Sequence, residues 1–234
     1  MTTSLAIAES LYERVRSCQG CGLARTRTNS VPGEGPLNAE VLLIGEAPGA
    51  NEDRQGRPFV GQAGQFLDEL LAAGGLKRSE VYICNVLKCR PPANRDPGPD
   101  EIAACAGYLD EQIQLVDPLV IVTLGRFSMG KFFPQQSISR IHGTFKQANG
   151  RFVVPMYHPA AALHQQSLRT VILNDFRALP AILDRARRLR AREQEQGGAT
   201  VAAPAQAEAA SRQPDAGAAA TPQAAPIQQI RLFD

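Results

Sequence analysis

The fold of this chain can be predicted from residues 41–71, whose sequence is VLLIGEAPGANEDRQGRPFVGQAGQFLDELL. Its apolar start, residues 41–44, predicts a buried strand that ends at the glycine-rich corner 45–49. A polar loop with one aromatic residue, Phe59, follows, and Gly61 then begins a helix with an apolar face. Ligands of open α/β sheets bind beyond the carboxyl ends of the strands. The stretch therefore predicts one wall of such a crevice, with backbone amides able to hold a negative oxygen.

Strands alternate with helices along the rest of the chain, which is typical of a largely parallel sheet with helices on both faces. We therefore expect one domain, residues 1–196, with the α/β fold of an α/β/α sandwich. The first helix is expected to bury Leu5, Ile7, Leu11 and Val15. Further strands are predicted at 81–86, 119–124 and 151–156, a strand or hairpin at 137–146, and helices at about 4–17, 99–115, 126–132 and 166–193.

Length and composition fit a globular protein, because 234 residues with 44% hydrophobic side chains can bury a good-sized core. The net charge is only +2, so a nucleic-acid partner requires local basic patches. A continuous run of about 18 apolar residues is missing, so we expect no membrane span. The N-terminal sequence lacks the features of a secretory signal, and we expect a cytoplasmic protein.

Four of the five cysteines are candidate metal ligands. Cys18 and Cys21 form a C-x2-C turn, whereas Cys89 and Cys105 are single cysteines in a Pro-rich loop and a predicted helix. Four thiolates can hold zinc or an iron–sulfur cluster. Zinc ribbons usually supply two close pairs, so this spacing suits a larger cluster better. Cys84 falls in the middle of a predicted strand and is expected to be a buried apolar residue.

Three polar residues follow predicted strands and are candidates for a shared site. Glu46 comes after the first strand, Asn85 after the second and His158 after the last. The carboxyl ends of parallel strands meet at one edge of a sheet, so these side chains are expected to converge. An asparagine amide offers both a donor and an acceptor, as the recognition of a nucleobase requires. Each residue alone also fits a structural role, as a turn or a cap.

Four motifs, in this order, resemble those of a family 4 uracil-DNA glycosylase. They are Gly45-Glu46-Ala47-Pro48-Gly49, then Gly56-Arg57-Pro58-Phe59-Val60-Gly61, then Asn85 with Lys88-Cys89-Arg90-Pro91-Pro92, and His158-Pro159-Ala160. The resemblance covers roughly residues 5–185 and implies the fold of the uracil-DNA glycosylases. It implies a monofunctional enzyme that flips uracil out of single- or double-stranded DNA and hydrolyses its glycosidic bond. Such an enzyme starts base-excision repair, and we expect it to be a monomer associated with the nucleoid.

The resemblance also assigns roles to single residues. Phe59 is expected to stack on the flipped base, while Asn85 reads O4 and N3–H of uracil. His158 and the backbone amides around Glu46 and Ala47 are expected to hold O2 as uracil leaves. The predicted catalytic residues are Glu46, Asn85 and His158, and the predicted substrate-binding residues are Gly45, Glu46, Ala47, Phe59, Asn85 and His158.

The cofactor that the resemblance implies is a [4Fe–4S] cluster held by Cys18, Cys21, Cys89 and Cys105. Its expected role is structural, because these ligands join the N-terminal helix and the loop after Asn85 at one point.

Some positions depart from related families. Ala47 stands where the first family of uracil-DNA glycosylases has an Asp that helps position water, so Glu46 is the candidate for activating water. Leu163 is the candidate wedge into the duplex. A covalently crosslinking relative carries a basic insert that the loop after Cys89 lacks, so we expect turnover. His142 is then expected to have a surface or DNA-contact role.

Residues 197–234 form an Ala/Pro/Gln-rich tail that cannot bury enough apolar surface to order itself, and we expect it to be disordered. The tail ends in Gln229-Ile230-Arg231-Leu232-Phe233-Asp234, which resembles the Gln-x-x-Leu-Phe peptide that binds the bacterial sliding clamp. Gln229, Leu232 and Phe233 would be the anchors. The alternative is a tail end without a partner.

The sequence alone also permits other interpretations. The arginines between 185 and 192 indicate a solvated helix face or, less strongly, a DNA-backbone contact. The chain could be a DNA-binding module that serves a polymerase, or a metal-dependent redox protein. Neither of these alternatives needs a base-reading residue at Asn85.

Overall fold

A single sheet lies at the centre of the computed structural model, which describes residues 2–199. In these residues the sheet has five strands in the order β2-β1-β3-β5-β4. All neighbouring pairs are parallel except β4 and β5, which form an antiparallel hairpin. The strands are β1 (Val41–Gly45), β2 (Tyr82–Asn85), β3 (Val120–Leu124), β4 (Lys146–Ala148) and β5 (Arg151–Met156).

Helices cover both faces of the sheet, as the sequence predicts for an α/β/α sandwich. On one face, Leu43 packs in a core with side chains of α3 and α8. On the other face, Leu42 and Ile44 pack in a core with α4, and α1 packs on α4. The helices are α1 (Thr2–Ser17), α2 (Ala50–Gln55), α3 (Gln62–Ala73), α4 (Pro99–Val116), α5 (Arg126–Gly130), α6 (Ile138–Ile141), α7 (Pro159–His164) and α8 (Leu168–Ala199).

Strand β1 lies between β2 and β3, and its five residues are all buried. An apolar run without alternation is typical of a strand that is covered on both faces. The parallel register brings Gly45, the last residue of β1, opposite Asn85, the last residue of β2. Because β5 runs in the same direction, its end delivers His158 to the same edge of the sheet. The predicted convergence of strand ends is therefore present.

The apolar stripe of α1 is narrower than predicted. Leu11 and Val15 are buried together with Ala8, but Leu5 and Ile7 are 58% and 52% exposed. Hydrogen bonds from α1 side chains to the rest of the protein begin only at Tyr12, whose hydroxyl lies 2.8 Å from that of Tyr82. The first turns of α1 therefore extend beyond the surface that covers its second half. The spacing of apolar residues in α1 does not show how far along the helix the surface that packs against it extends.

Three short elements differ from the predictions. The predicted polar loop after Gly49 contains α2, whose sequence Ala-Asn-Glu-Asp-Arg-Gln has no apolar period to reveal it. The predicted strand or hairpin at 137–146 contains α6 followed by only the first residue of β4. Helix α7 was missed because its 6 residues are too few to show an apolar period, although Pro159 at its first position is a typical helix start.

Helix α8 continues to Ala199, beyond the predicted domain end at residue 196. The rest of the predicted tail lies outside the described residues, and with it the candidate clamp anchors Gln229, Leu232 and Phe233. Within residues 2–199, the helices are all too short or too polar to cross a lipid bilayer.

Candidate functional site

Gly45 forms the floor of a pocket at the point where the parallel strands end. A Cβ atom at this position would lie 2.3 Å from Asn85 Oδ1 and 2.7 Å from Phe59 Cζ, too close for any side chain. Glycine is the residue that permits such a close approach to the backbone. The missing side chain therefore lets the Asn85 amide and the Phe59 ring meet over the end of β1.

Phe59 is held in an unusual backbone conformation that places its ring in the pocket. Its φ angle is +50°, which costs a bulky residue about 1–3 kcal/mol. Arg78 donates hydrogen bonds to the carbonyls of Pro58 (2.6 Å) and Phe59 (3.2 Å). Gly64 leaves room beside it, since a Cβ there would lie 1.9 Å from Phe59 O. The ring stacks with His158 at a centroid distance of 5.5 Å and an interplanar angle of 27°.

The resulting cavity, which we call the strand-end pocket, has a volume of about 270 Å³. Pro91, Asn94 and Arg95, from the loop after β2, also line it. A space of this size beside an aromatic ring suits one small planar ring. Five of the sequence-predicted residues line the pocket, and Gly45 lies beneath them: Glu46, Ala47, Phe59, Asn85 and His158.

Asn85 presents its side-chain amide to the strand-end pocket. The residue is only 2% exposed. Its backbone carbonyl accepts a hydrogen bond from Lys88 Nζ, but within residues 2–199 its side-chain amide has no protein partner. The amide faces the open pocket, where a bound ligand can pair with it. Asn85 can therefore offer one donor and one acceptor to a bound ring.

His158 is a neutral hydrogen-bond donor at the other side of the pocket. Its Nδ1 accepts a hydrogen bond from the Ala160 amide at 3.1 Å, which caps α7. Burial lowers the pKa of His158 to about 4, against a small opposing effect of Glu52. The imidazole is therefore neutral at pH 7. Because Nδ1 is an acceptor, the proton of the neutral ring is on Nε2.

Glu46 places a half-buried carboxyl group on the pocket wall. Burial raises the pKa of this carboxyl group, Asp96 raises it further, and Arg126 opposes the shift. A carboxylate with a raised pKa is a better proton acceptor near neutral pH. The backbone carbonyl of Glu46 also accepts a hydrogen bond from the Leu87 amide at 3.0 Å, so the corner after β1 is attached to the segment after β2.

Glu52 has a role that the sequence analysis missed. Its Oε1 accepts hydrogen bonds from the amides of Val60 and Gly61, both at 2.9 Å, and its Oε2 accepts one from Gly49 at 3.1 Å. One carboxylate thus joins the corner after β1 to the loop that carries Phe59. A signal was present, because a Glu three residues after Gly49 matches the spacing of a helix capping box.

The four candidate cysteine ligands line a second cavity, the cysteine cavity. Cys18 and Cys21 come from the turn after α1, Cys89 from the loop after β2, and Cys105 from α4. Burial raises the pKa of the Cys89 and Cys105 thiols. The fifth, Cys84, is completely buried in β2 and packs in the apolar core, as predicted.

The residues that line the cysteine cavity combine thiols with cations. Within residues 2–199, Cys, His, Asp and Glu side chains do not converge in threes closely enough to hold a single metal ion. Arg27 and Lys88 also line the cysteine cavity, and Arg27 donates a hydrogen bond to Cys89 Sγ at 3.0 Å. Cations at the wall suit a negatively charged occupant.

Two further predicted residues lie outside both cavities. Leu163 is 46% exposed on α7, the helix that begins after His158, so it is available to an external partner. His142 is not a free surface residue, because its Nδ1 lies 2.8 Å from an Asp175 carboxylate oxygen and its ring packs on Tyr157.

Several arginines of α8 have partners within the protein. Arg187 pairs with Glu40 and Asp184, and Arg190 pairs with Asp117. The Arg185 guanidinium lies over the Phe145 ring at 5.1 Å. These contacts favour the solvated helix face over a DNA-backbone contact for this part of α8.

Known proteins are similar to this chain in sequence. The profile of the uracil DNA glycosylase superfamily matches residues 32–177. A Type-4 uracil-DNA glycosylase of Sulfurisphaera tokodaii is 48% identical over 73% of this chain and 82% of its own length. That of Saccharolobus solfataricus is 47% identical over 74% and 85%. That of Thermotoga maritima is 44% identical over 75% and 94%.

The protonation of His158 can be checked by an NMR titration of its ring protons, assigned with a His158→Asn variant. We expect a pKa of about 4 because burial disfavours the charged ring. The unfolded chain binds this proton first, so His158 should also reduce folding stability progressively as pH falls from about 6.5 towards about 4. Titration of the folded protein at or above 6.5 would contradict the neutral imidazole.

Proposed function

The chain belongs to the uracil DNA glycosylase superfamily, and we propose that its strand-end pocket is the site that removes uracil from DNA. Excision of uracil leaves an abasic site and starts base-excision repair. The observation that carries the proposal is the unpartnered amide of Asn85, held over Gly45 and facing the Phe59 and His158 rings. A base inside a duplex cannot reach such a pocket, so the uracil nucleotide has to flip out.

The pocket reads uracil by hydrogen bonding and stacking. The Asn85 amide donates to O4 and accepts from N3–H, the pattern that uracil presents. Cytosine has an amino group and an unprotonated N3 at these positions, so both contacts would be mismatched. The Phe59 ring provides the stacking surface, and base–aromatic stacking is worth about 1–3 kcal/mol per base.

Catalysis stabilises uracil as a leaving anion. As the C1′–N1 bond breaks, its electron pair moves onto the base and negative charge gathers at O2. The Nε2–H of His158 and the backbone amides around Glu46 and Ala47 are the donors for O2. Fixed donors aimed at developing charge are often the largest catalytic contribution. A neutral imidazole suits this role because it donates a hydrogen bond without having to lose a charge afterwards.

The second half of the reaction adds water to the sugar. The sugar that loses uracil becomes oxocarbenium-like, and a water oxygen bonds to C1′. Glu46 is our candidate for taking the water proton, because its half-buried carboxylate lines the pocket and its pKa is raised by burial. The products are uracil and an abasic site. No covalent bond to the protein forms, so each enzyme molecule turns over.

We propose that the cysteine cavity holds a [4Fe–4S] cluster. The residues fit such a group: Cys18, Cys21, Cys89 and Cys105 line one space, to which Arg27 and Lys88 add positive charge. When bound, the cluster supplies a covalent junction between the turn after α1, the loop after β2 and helix α4. The loop after β2 also lines the strand-end pocket through Pro91, Asn94 and Arg95, so this junction supports the uracil site.

DNA approaches the mouth of the strand-end pocket in this proposal. Arg95 lines the pocket and Arg126 is exposed beside it, near Glu46. Arg95 pairs with Glu101 and Arg126 with Asp96, but exposed pairs are weak, so both arginines can exchange these partners for phosphates at the mouth of the pocket. Such contacts position a nucleic acid without reading its sequence. Leu163 is our candidate for the side chain that occupies the space left by the flipped base, because it is a large exposed apolar residue just after His158.

We further propose that residues 229–234 bind the sliding clamp. The support is the sequence Gln229-Ile230-Arg231-Leu232-Phe233-Asp234, with two apolar anchors after a long stretch poor in large apolar residues. A peptide anchor can concentrate an enzyme at its substrate without altering its active site.

The uracil site can be tested with an end-labelled oligonucleotide that carries one uracil, followed by hot alkali to cleave abasic sites. Wild-type protein should give cleavage, and Asn85→Ala should excise uracil about 100-fold more slowly or worse. Gly45→Ala should show a similar loss, because its methyl group would displace the Asn85 amide and the Phe59 ring.

Gly107→Ala is the matched control, since a Cβ at Gly107 meets nothing within 4 Å. It should excise at the wild-type rate. Wild-type excision by Gly45→Ala would contradict the assigned pocket. An iron-loaded wild-type protein that fails to excise uracil would instead favour a DNA-binding module.

The clamp proposal predicts that deletion of residues 229–234 abolishes binding to a bacterial sliding clamp and leaves uracil excision unchanged. Leu232→Ala/Phe233→Ala should have the same effect, because these side chains are the proposed anchors. Clamp binding can be measured by surface plasmon resonance, with Ile227→Ala as a control outside the motif. Undiminished clamp binding after the deletion would contradict the clamp proposal.

A further inference from the structure

Lys88 is a buried cation between the two cavities. It is 1% exposed, and its Nζ donates hydrogen bonds to the Asn85 carbonyl and to Gln112 Oε1, both at 2.6 Å. The same residue lines the cysteine cavity together with Cys89 and Cys105. One residue therefore holds the residue that reads the base and also lines the proposed cluster space.

The immediate partners of the Lys88 ammonium are neutral. Both hydrogen-bond acceptors are amide oxygens, and among residues 2–199 Lys88 forms no ion pair with a carboxylate. A buried charge without a charged partner costs several kcal/mol. The backbone of Asn85 is thus held by a buried ammonium group that destabilises the fold unless negative charge lies nearby.

The cysteine cavity is where that negative charge would be. Thiols that coordinate a metal are deprotonated, and four thiolates around an iron–sulfur core carry net negative charge. Cys89 follows Lys88 directly in the chain, and Cys105 lines the same cavity. A bound cluster therefore places an anionic group against the cavity wall to which Lys88 belongs.

We propose that Lys88 is a positioning residue that couples the cluster to uracil recognition by Asn85. The cluster compensates the charge of Lys88, and Lys88 fixes the backbone of Asn85, so the side-chain amide points correctly into the strand-end pocket. This inference rests on the cluster and the uracil site proposed above. It gives the proposed iron–sulfur group a structural role in a hydrolysis that needs no electron transfer.

Gln112 is the second support of the same arrangement. Its Oε1 accepts from Lys88, while its Nε2 donates to the Pro32 carbonyl at 2.5 Å and to the Tyr82 hydroxyl at 3.2 Å. The side chain is completely buried. Its position is therefore fixed from three directions, and it fixes the Lys88 ammonium in turn.

The test uses Lys88→Met in the full chain with its cluster. Readouts are iron content, the visible absorbance of the cluster, and the Kd for an oligonucleotide with one non-cleavable 2′-fluoro-deoxyuridine. We expect retained iron and an affinity for this probe about 10- to 100-fold weaker. Affinity for the same oligonucleotide with thymidine instead should be unchanged. Lys131→Met, which removes a half-buried lysine paired with Asp110, is the control and should bind like wild type.

A double-mutant cycle separates positioning from general destabilisation. If Lys88 acts through Asn85, adding Lys88→Met to Asn85→Ala should weaken probe binding less than about twofold further. Full additivity, or wild-type affinity of Lys88→Met, overturns the inference. A wild-type protein that carries no iron or does not prefer the uracil probe would refute the proposed function instead.

A second variant covers the case in which Lys88→Met does not fold or loses its iron. Gln112→Met nearly keeps the volume and leaves the cysteines, Lys88 and Asn85 unsubstituted, but it removes one acceptor of the ammonium together with the hydrogen bonds to Pro32 and Tyr82. It should retain iron and also lose affinity for the uracil probe. Wild-type affinity of Gln112→Met would overturn the coupling in that case.

Discussion

The carboxylate of Glu52 accepts three backbone N–H groups, from Gly49, Val60 and Gly61. These amides belong to the loops on either side of α2, the helix that carries Glu52. The first loop is the corner after β1, and the second delivers Phe59 in its strained conformation. Charge-assisted hydrogen bonds of this kind are about twice as strong as neutral ones. The shape of the strand-end pocket depends on this one group.

The pocket has a second set of supports on the opposite side. The Leu87 amide binds the Glu46 carbonyl, and Lys88 binds that of Asn85. Both residues belong to the segment that leads into Cys89, a ligand of the proposed cluster. The sheet therefore brings Gly45, Asn85 and His158 to one edge, and groups on either side fix their orientation. Catalytic groups that are held by such an outer shell retain their geometry without reorganisation.

Much of the fold could be predicted from the sequence because its main elements have strong local signals. The buried strands read as apolar runs, and α3 and α4 have clear periodicity and glycines at their starts. Short elements without a period, such as α2, α6 and α7, could not be found in this way. For α1 the spacing indicated a helix, but the extent of its buried face depends on its neighbours.

The candidate site likewise contains residues that the sequence could predict and residues that it could not. Residues that follow strands, such as Asn85 and His158, could be predicted to converge, since parallel topology requires it. The roles of Glu52 and Lys88 could not, because each depends on contacts with groups whose positions only the folded chain defines. In the sequence, Glu52 belongs to a predicted polar loop, and Lys88 is one residue of a motif without a role of its own.

The central claim is that the pocket shaped by Glu52 excises uracil, and the most direct measurement is the single-turnover excision rate of Glu52→Ala and Glu52→Gln. Glu80→Ala is the matched control, because Glu80 also accepts a backbone amide, that of Lys77, away from the pocket. We expect Glu52→Ala to fold but to excise uracil about 100-fold more slowly than wild type. The excision rate of Glu52→Gln should lie between these two, and that of Glu80→Ala should equal the wild-type rate. Excision by Glu52→Ala at the wild-type rate would contradict it.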